Sequence, residues 1–312
     1  MSQPDSPKLA TTSDNSTAGV LLGLGAYGWW GCVTPFYYYL LKEVPVLELI
    51  AWRVLAGLPI MLLLLWATSR HTQLFSLFKK PGVLGLLALS AILIGINWFV
   101  FIIAVDTDRL TEASLGYYIN PLVSVALGMI FLGERMRALQ WVAVIIAAIG
   151  VAVLAIKTGG VPWISLSLAG SFAFYGLIRK QVSADAATGL TVEMMLLFPF
   201  MFAVLIFVGV GEGAMIVDGP TWLIIMLLLG GPVTIVPLLL FTGCARRLKL
   251  ATVGLMQYIA PTGQFLLGVF AFGEAFGPDR IIAFVLIWAA VILYSADALR
   301  QSRRQKIASV LS

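Results

Sequence analysis

Apolar runs of about twenty residues, parted by short polar breaks, fill the chain from residue 19 to residue 298. A helix crossing the hydrocarbon core of a bilayer needs roughly that length, because each residue advances it by about 1.5 Å. Ten such runs predict ten membrane-spanning helices: 19–41, 46–67, 82–104, 109–132, 138–156, 162–180, 190–210, 221–244, 249–272 and 279–298. The connections are too short to hold a soluble domain. Residues 1–18 are polar, rich in Ser and Thr, and lack the cationic start and apolar core of a signal peptide; they are expected to be a disordered tail. Residues 299–312 form a basic tail.

Composition agrees. Hydrophobic residues make up 60% of the 312 and charged residues only 11%, against about a quarter charged in soluble domains. The charges that remain are sorted by side. Fifteen of the twenty Lys and Arg fall in the segments that share a face with both termini, four fall on the opposite face, and Arg53 alone lies within a span. Because cytoplasmic segments retain Lys and Arg during insertion, both termini are expected in the cytoplasm, which ten spans permit. Cys32 and Cys244 sit in apolar runs as packing residues. No metal-ligand spacing or nucleotide motif occurs, so no metal or cofactor is expected. The expected partners are a small-molecule substrate and the lipid bilayer, not a nucleic acid.

The chain repeats itself. LGYYINPLVSVALG (115–128) returns 140 residues later as LMQYIAPTGQFLLG (255–268), pairing Tyr118 with Tyr258 and Pro121 with Pro261. LGE (132–134) likewise meets FGE (272–274), pairing Glu134 with Glu274. Nearer the start of each half the offset is 145: AYGWWG (26–31) meets SFAFYG (171–176), and Glu48 pairs with Glu193. Two halves of five spans each, 19–156 and 162–298, must cross the membrane in opposite senses because five is odd. Inverted repeats of this kind mark secondary transporters, whose sites lie near the bilayer midplane at the repeat interface. Pro121 and Pro261 are therefore expected to break spans 4 and 9 beside a central cavity, since freed carbonyls are tolerated only against protein or water.

The runs INWFVFIIAV (96–105), EASLGYYINPLVSVALGMIFLGER (112–135), FYGLIRK (174–180), PLLLFTGCARRLKL (237–250) and QYIAPT (257–262) resemble the RarD branch of the EamA family. That family belongs to the drug/metabolite transporter superfamily. The resemblance covers about residues 19–298 and implies ten helices in two EamA repeats, an alternating-access mechanism and a bacterial inner-membrane location. Members of this branch are described as chloramphenicol-sensitive or chloramphenicol-resistance permeases. Two positions depart from the family pattern: Trp52 stands where relatives often carry His, removing a candidate proton carrier, and Asp106 stands where they often carry Asn.

Arg53 is the strongest polar signal. A charge about 10 Å inside a span costs roughly 2.5–3.5 kcal/mol even on the insertion scale, so it must face the bundle interior and meet a partner. That partner is either an anionic group of the substrate or Glu48, just over one turn away. Asn97 and Trp98 in span 3 offer an amide beside an indole face, for substrate or for helix packing. Tyr118 and Asn120 in span 4, with Gln257, Tyr258 and Gln264 in span 9, complete the candidate lining. Tyr117 and Tyr118 point about 100° apart, and the repeat match selects Tyr118. A mixed aromatic and amide lining suits an amphipathic organic solute better than a bare ion. Glu48 and Glu193, like Glu134 and Glu274, fall near span ends and suggest gating or structural roles. Proton coupling is compatible with the sequence, but no mid-span carboxylate is expected to supply it.

Among other classes, an intramembrane enzyme would need HExxH, GxSxG or paired intramembrane carboxylates; the single histidine, His71, lies in a loop. A receptor or scaffold has no need of inverted halves, and an ATP-driven pump needs a nucleotide domain. The expectation is an all-α integral membrane protein that works as a secondary transporter, with a passive facilitator or exchanger as the nearest alternative.

Overall fold

The computed structural model describes residues 12–107, 109–156, 163–211, 219–270 and 278–311, and these are helices joined by short turns. Span 1 comprises α1 (Thr12–Gly28), one π turn over Trp29–Val33 and α2 (Thr34–Leu40). Span 2 is divided into α3 (Val46–Leu55) and α4 (Gly57–Ala67). After a short helix α5 (His71–Phe78) come α6 (Pro81–Asp106), α7 (Leu110–Leu132) and α8 (Ala138–Ala155) as spans 3, 4 and 5. Spans 6, 7 and 8 are α9 (Trp163–Gln181), α10 (Ala186–Gly211) and α11 (Thr221–Ala245). Span 9 is α12 (Leu250–Met256) and α13 (Ile259–Phe270), and span 10 is α14 (Pro278–Leu311). Six of these stretches are long and apolar enough to cross a bilayer on their own; spans 1, 6, 9 and 10 complete the ten in shorter or more polar pieces.

Helix α1 begins at Thr12, so part of the stretch expected to be disordered is helical. Residues 1–11 lie outside the described residues, as does Glu274. The sequence reading also lacked α5, whose Leu74 and Leu77 are buried while Phe75 and Phe78 are exposed, the pattern of a short amphipathic helix.

The packing repeats with the sequence. Span 4 lies along span 6, as span 9 lies along span 1; span 3 packs on spans 6 and 7, as span 8 packs on spans 1 and 2. Spans 2 and 7, 4 and 9, and 5 and 10 meet their own counterparts. Exchanging the halves thus reproduces the contact pattern, as two inverted repeats require.

The breaks follow proline chemistry, with one correction. Pro59 cannot donate to the carbonyl of Leu55, and span 2 opens at Ala56. Pro261 cannot donate to Gln257, and span 9 opens at Gln257–Tyr258; Ala260 N–H takes the Gln257 carbonyl instead, at 3.1 Å. Pro121, however, does not break span 4: α7 runs through it without interruption. One missing hydrogen bond is a small loss where span 9 packs against this stretch. The Tyr258 hydroxyl donates to the Tyr118 carbonyl at 3.2 Å, and a Cβ on Gly254 would come within 2.8 Å of the Pro121 carbonyl.

Close approach elsewhere depends on glycine. A Cβ on Gly31, within the π turn, would lie 3.0 Å from the Ala260 carbonyl, and one on Gly263 would lie 2.9 Å from the Gly31 backbone. Spans 1 and 9 therefore touch backbone to backbone beside the break, the small-residue packing expected where lipid supplies no hydrophobic drive.

Candidate functional site

A cavity of about 450 Å³ lies between the two repeats, within the range of small-molecule sites. Its lining comes from spans 1, 2, 3, 4, 6, 8 and 9. The lining positions lie mid-span or in the half of each helix away from the termini: Thr34 and Tyr38 late in span 1, Arg53 early in span 2, and Trp98 and Phe101 late in span 3. On the terminus side the cavity ends on an aromatic plug. The rings of Tyr27, Trp30 and Phe172 line its floor, and Phe241 lies behind them at 6.3, 6.0 and 5.1 Å between ring centroids. Tyr175 stacks on Phe241 at 6.0 Å. Tyr27, Tyr175 and Phe241 are fully buried.

Arg53 is held by three residues and points into this space. Its Nε donates to Thr234 Oγ1 at 2.8 Å, and its guanidinium carbon lies 4.7 Å from the centroid of the Trp98 ring and 6.0 Å from that of Tyr38. Its packing is therefore on aromatic faces and a hydroxyl, the pairing suited to a planar cation, and among the described residues no ion pair joins it to Glu48. Glu48 itself is buried and does not line the cavity.

Asn97 reaches the cavity wall, but its amide nitrogen is engaged across the helix interface, donating to the Leu168 carbonyl and Ser171 Oγ at 3.0 Å each. Asn120, Gln257 and Gln264 also line the cavity. Gln257 donates to Ser124 Oγ at 3.5 Å and Gln264 to the Trp30 carbonyl at 3.2 Å, so both amides tie the wall together. Thr34 Oγ1 is buried in the wall with no hydrogen-bond partner among the described residues, leaving a donor and acceptor for a bound solute.

Tyr118 and Tyr258 do not line the cavity. Tyr118 stands edge-on to Phe284 at 5.8 Å, and both tyrosines pack into a core shared with spans 5 and 10. Tyr117 takes the cavity face instead. The repeat match found the conserved structural pair, whereas the 100° step between neighbours put the other ring inward. Pro261 lines the cavity and Pro121 does not. The reading from sequence also missed Trp30, Thr34, Tyr38 and Thr234, although Trp30 lies within the repeated AYGWWG stretch.

The carboxylates near span ends are less exposed than expected. Span 7 starts at Ala186 rather than 190, capped by Asp185, which accepts from the Ala187 and Thr188 amides at 3.1 and 3.2 Å. Glu193 is consequently two turns into a helix and 1% exposed, accepting from Ser90 Oγ at 2.6 Å and the Tyr175 hydroxyl at 3.3 Å. Its ion pair with Arg179, itself fully buried, measures 3.4 Å from Nε to Oε1. Glu134 accepts from the amides of Leu250 and Ala251 at 2.7 and 3.0 Å, capping the start of span 9. Lys180 donates beside it to the carbonyls of Ala245 and Leu248. These contacts tie the ends of spans 4, 6, 8 and 9 together on the terminus side.

An all-helical bundle of inverted repeats with a solute-sized cavity where they meet defines a membrane transporter of the drug/metabolite type. The EamA-like transporter family model matches residues 17–156. The protein named RarD in Salmonella typhi is 45% identical over 287 residues, covering 92% of this chain and 97% of that one. A Pseudomonas aeruginosa relative named Chloramphenicol-sensitive protein RarD is 32% identical over 294 residues, covering 93% and 97%. A solved crystal structure superposes with a TM-score of 0.69 at 19% identity, over 91% of this chain and 99% of the other, and so shares the fold. The chain belongs to the RarD branch of the EamA-like transporter family.

Proposed function

We propose that the protein is a secondary active transporter that carries a small amphipathic organic acid, such as an amino-acid-like metabolite, across the bacterial inner membrane by alternating access. The carrying observation is Arg53, a cation presented to the cavity by Trp98 and Thr234 rather than cancelled by a carboxylate. It supplies one anion contact in a space otherwise walled by rings and amides. One carboxylate on an apolar or aromatic body fits that chemistry; an inorganic ion would call for denser charge. The charge asymmetry of the loops supports cytoplasmic termini, in which case this structure presents its cavity to the periplasm and is closed toward the cytoplasm by the plug. Opening alternates as the repeats exchange conformations about the fixed site.

The test is uptake and efflux in proteoliposomes against a panel of amino acids, other amphipathic acids and chloramphenicol, included because one relative's name points to it. Each solute is run with and without an imposed pH gradient, using wild type and folded Arg53→Ala. Transport of an acid by wild type that Arg53→Ala loses supports the reading. Undiminished transport by the variant removes Arg53 from the site.

A further inference from the structure

Arg179 and Glu193 are buried together behind the plug, and the cavity of this state does not use them. Nη2 donates to the Ala186 carbonyl at 3.1 Å, Nε lies 3.4 Å from Glu193, and among the described residues neither Nε nor Nη1 has a hydrogen-bond partner. A buried guanidinium with most of its donors idle is an expensive structural element. The space is nonetheless shaped for it: a Cβ on Gly189 would fall 2.0 Å from Nη1. We propose that Arg179 is the anion-binding group of the cavity in its alternate, terminus-facing state, neutralised by Glu193 while the cavity faces the other way.

Two observations carry this. The first is contiguity. From the cavity floor at Phe172 and Trp30 the path runs through Phe241 to Tyr175, whose hydroxyl donates to Glu193, and Glu193 faces Arg179. Parting the plug opens the cavity onto this pair. The second is the repeat. At the offset of 145 that aligns AYGWWG with SFAFYG, Trp30 corresponds to Tyr175 and Thr34 to Arg179. At the offset of 140, Phe101 corresponds to Phe241 and Gln264 to Ser124. Trp30, Thr34, Phe101 and Gln264 all line the present cavity. When the halves exchange conformations, Tyr175, Arg179, Phe241 and Ser124 take their places. A carboxylate released by Arg53 then meets a second guanidinium, with Glu193 competing for it and easing release. The inference rests on the alternating-access reading above.

Thiol accessibility tests it without knowledge of the solute. Ser124, 1% exposed here, is replaced by cysteine in a Cys32→Ser, Cys244→Ala background. Vesicles are sorted by a tag on the C-terminus so that the terminus face meets impermeant methanethiosulfonate reagents, one carrying a sulfonate and one a trimethylammonium. The cysteine is expected to react from that face, the anionic reagent faster by roughly fivefold or more. Glu193→Gln raises that preference and Arg179→Lys keeps it. The double variant Arg179→Gln, Glu193→Gln, which leaves no bare charge in the core, brings the two rates together. Reaction from the terminus face with a preference the double variant does not change overturns the role of Arg179 and leaves alternating access standing. Absence of reaction from that face overturns both.

Discussion

The guanidinium carbon of Arg53 lies over the Trp98 ring, 4.7 Å from its centroid, and Thr234 fixes the remaining freedom from the opposite repeat at 2.8 Å. Spans 2, 3 and 8 thereby aim one cation into the cavity. Removing the hydroxyl in Thr234→Val deletes a hydrogen bond to a charged group, worth about 1.5–3 kcal/mol. The Michaelis constant for the transported acid is expected to rise about tenfold, with the expressed fold unchanged. Arg53→Lys keeps the charge but not the planar contact, and is expected to restore only part of the affinity.

The approach of spans 1 and 9 yields a second expectation. Gly31→Val must push the Ala260 backbone away, at a cost of about 1–3 kcal/mol for overpacking. Gly28, one turn earlier, would bring a Cβ within 4 Å of nothing, so Gly28→Ala is expected to be neutral. Melting temperatures in detergent separate the two: a clear fall for Gly31→Val and none for Gly28→Ala.

Tyr117 and Tyr118 divide function from stability. Tyr118→Ala empties a core position between spans 4, 5 and 10 and is expected to cost about 3–5 kcal/mol, seen as a large drop in melting temperature. Tyr117→Ala widens the cavity and is expected to shift the preferred solute toward bulkier acids while the melting temperature changes little. Competition among acids of graded size reads the shift.

How much of this could be read from the chain alone is explained by the same residues. Ten spans, the inverted halves and the intramembrane Arg53 all follow from hydropathy and repetition, because lipid leaves few alternatives. Tyr118 was preferred to Tyr117 because a repeat match registers identity, and identity is as strong in a packed core as in a cavity. Pro121 was expected to break its helix because sequence shows the missing donor but not the neighbouring helix packed against it. The burial of Arg179 and Glu193 is hidden in the sequence because charges near span ends are normally solvated; only the early start of span 7 at Ala186 brings Glu193 beneath the surface. Arg53 meeting rings rather than Glu48 is likewise a matter of which helix face turns inward.

Asp185, in the turn before span 7, gives a pH dependence. Burial raises its carboxyl, but hydrogen bonds from the Thr188 hydroxyl and amide, the Arg70 guanidinium at 3.1 Å and the Ala187 amide outweigh that and hold it below the ordinary range. A carboxylate whose folded value is depressed contributes stability that is fully present above its unfolded value, about 3.9 for Asp. That contribution is lost as the pH falls through the lower folded value. Asp185→Ala is therefore expected to lower stability by about 1 kcal/mol at neutral pH, the usual worth of such a cap. The gap to wild type should narrow only below about pH 4, and melting curves across pH check it.

The account stands most directly on the contact between Arg53 and an acidic group of the solute. The measurement is a two-by-two comparison in proteoliposomes of a transported acid and its neutral amide, carried by wild type and by Arg53→Gln. Wild type is expected to prefer the acid by about tenfold or more in apparent affinity, in line with a charge-assisted hydrogen bond, and Arg53→Gln to treat the two alike. An equal preference for the acid in both proteins would place the anion elsewhere and contradict the site described here.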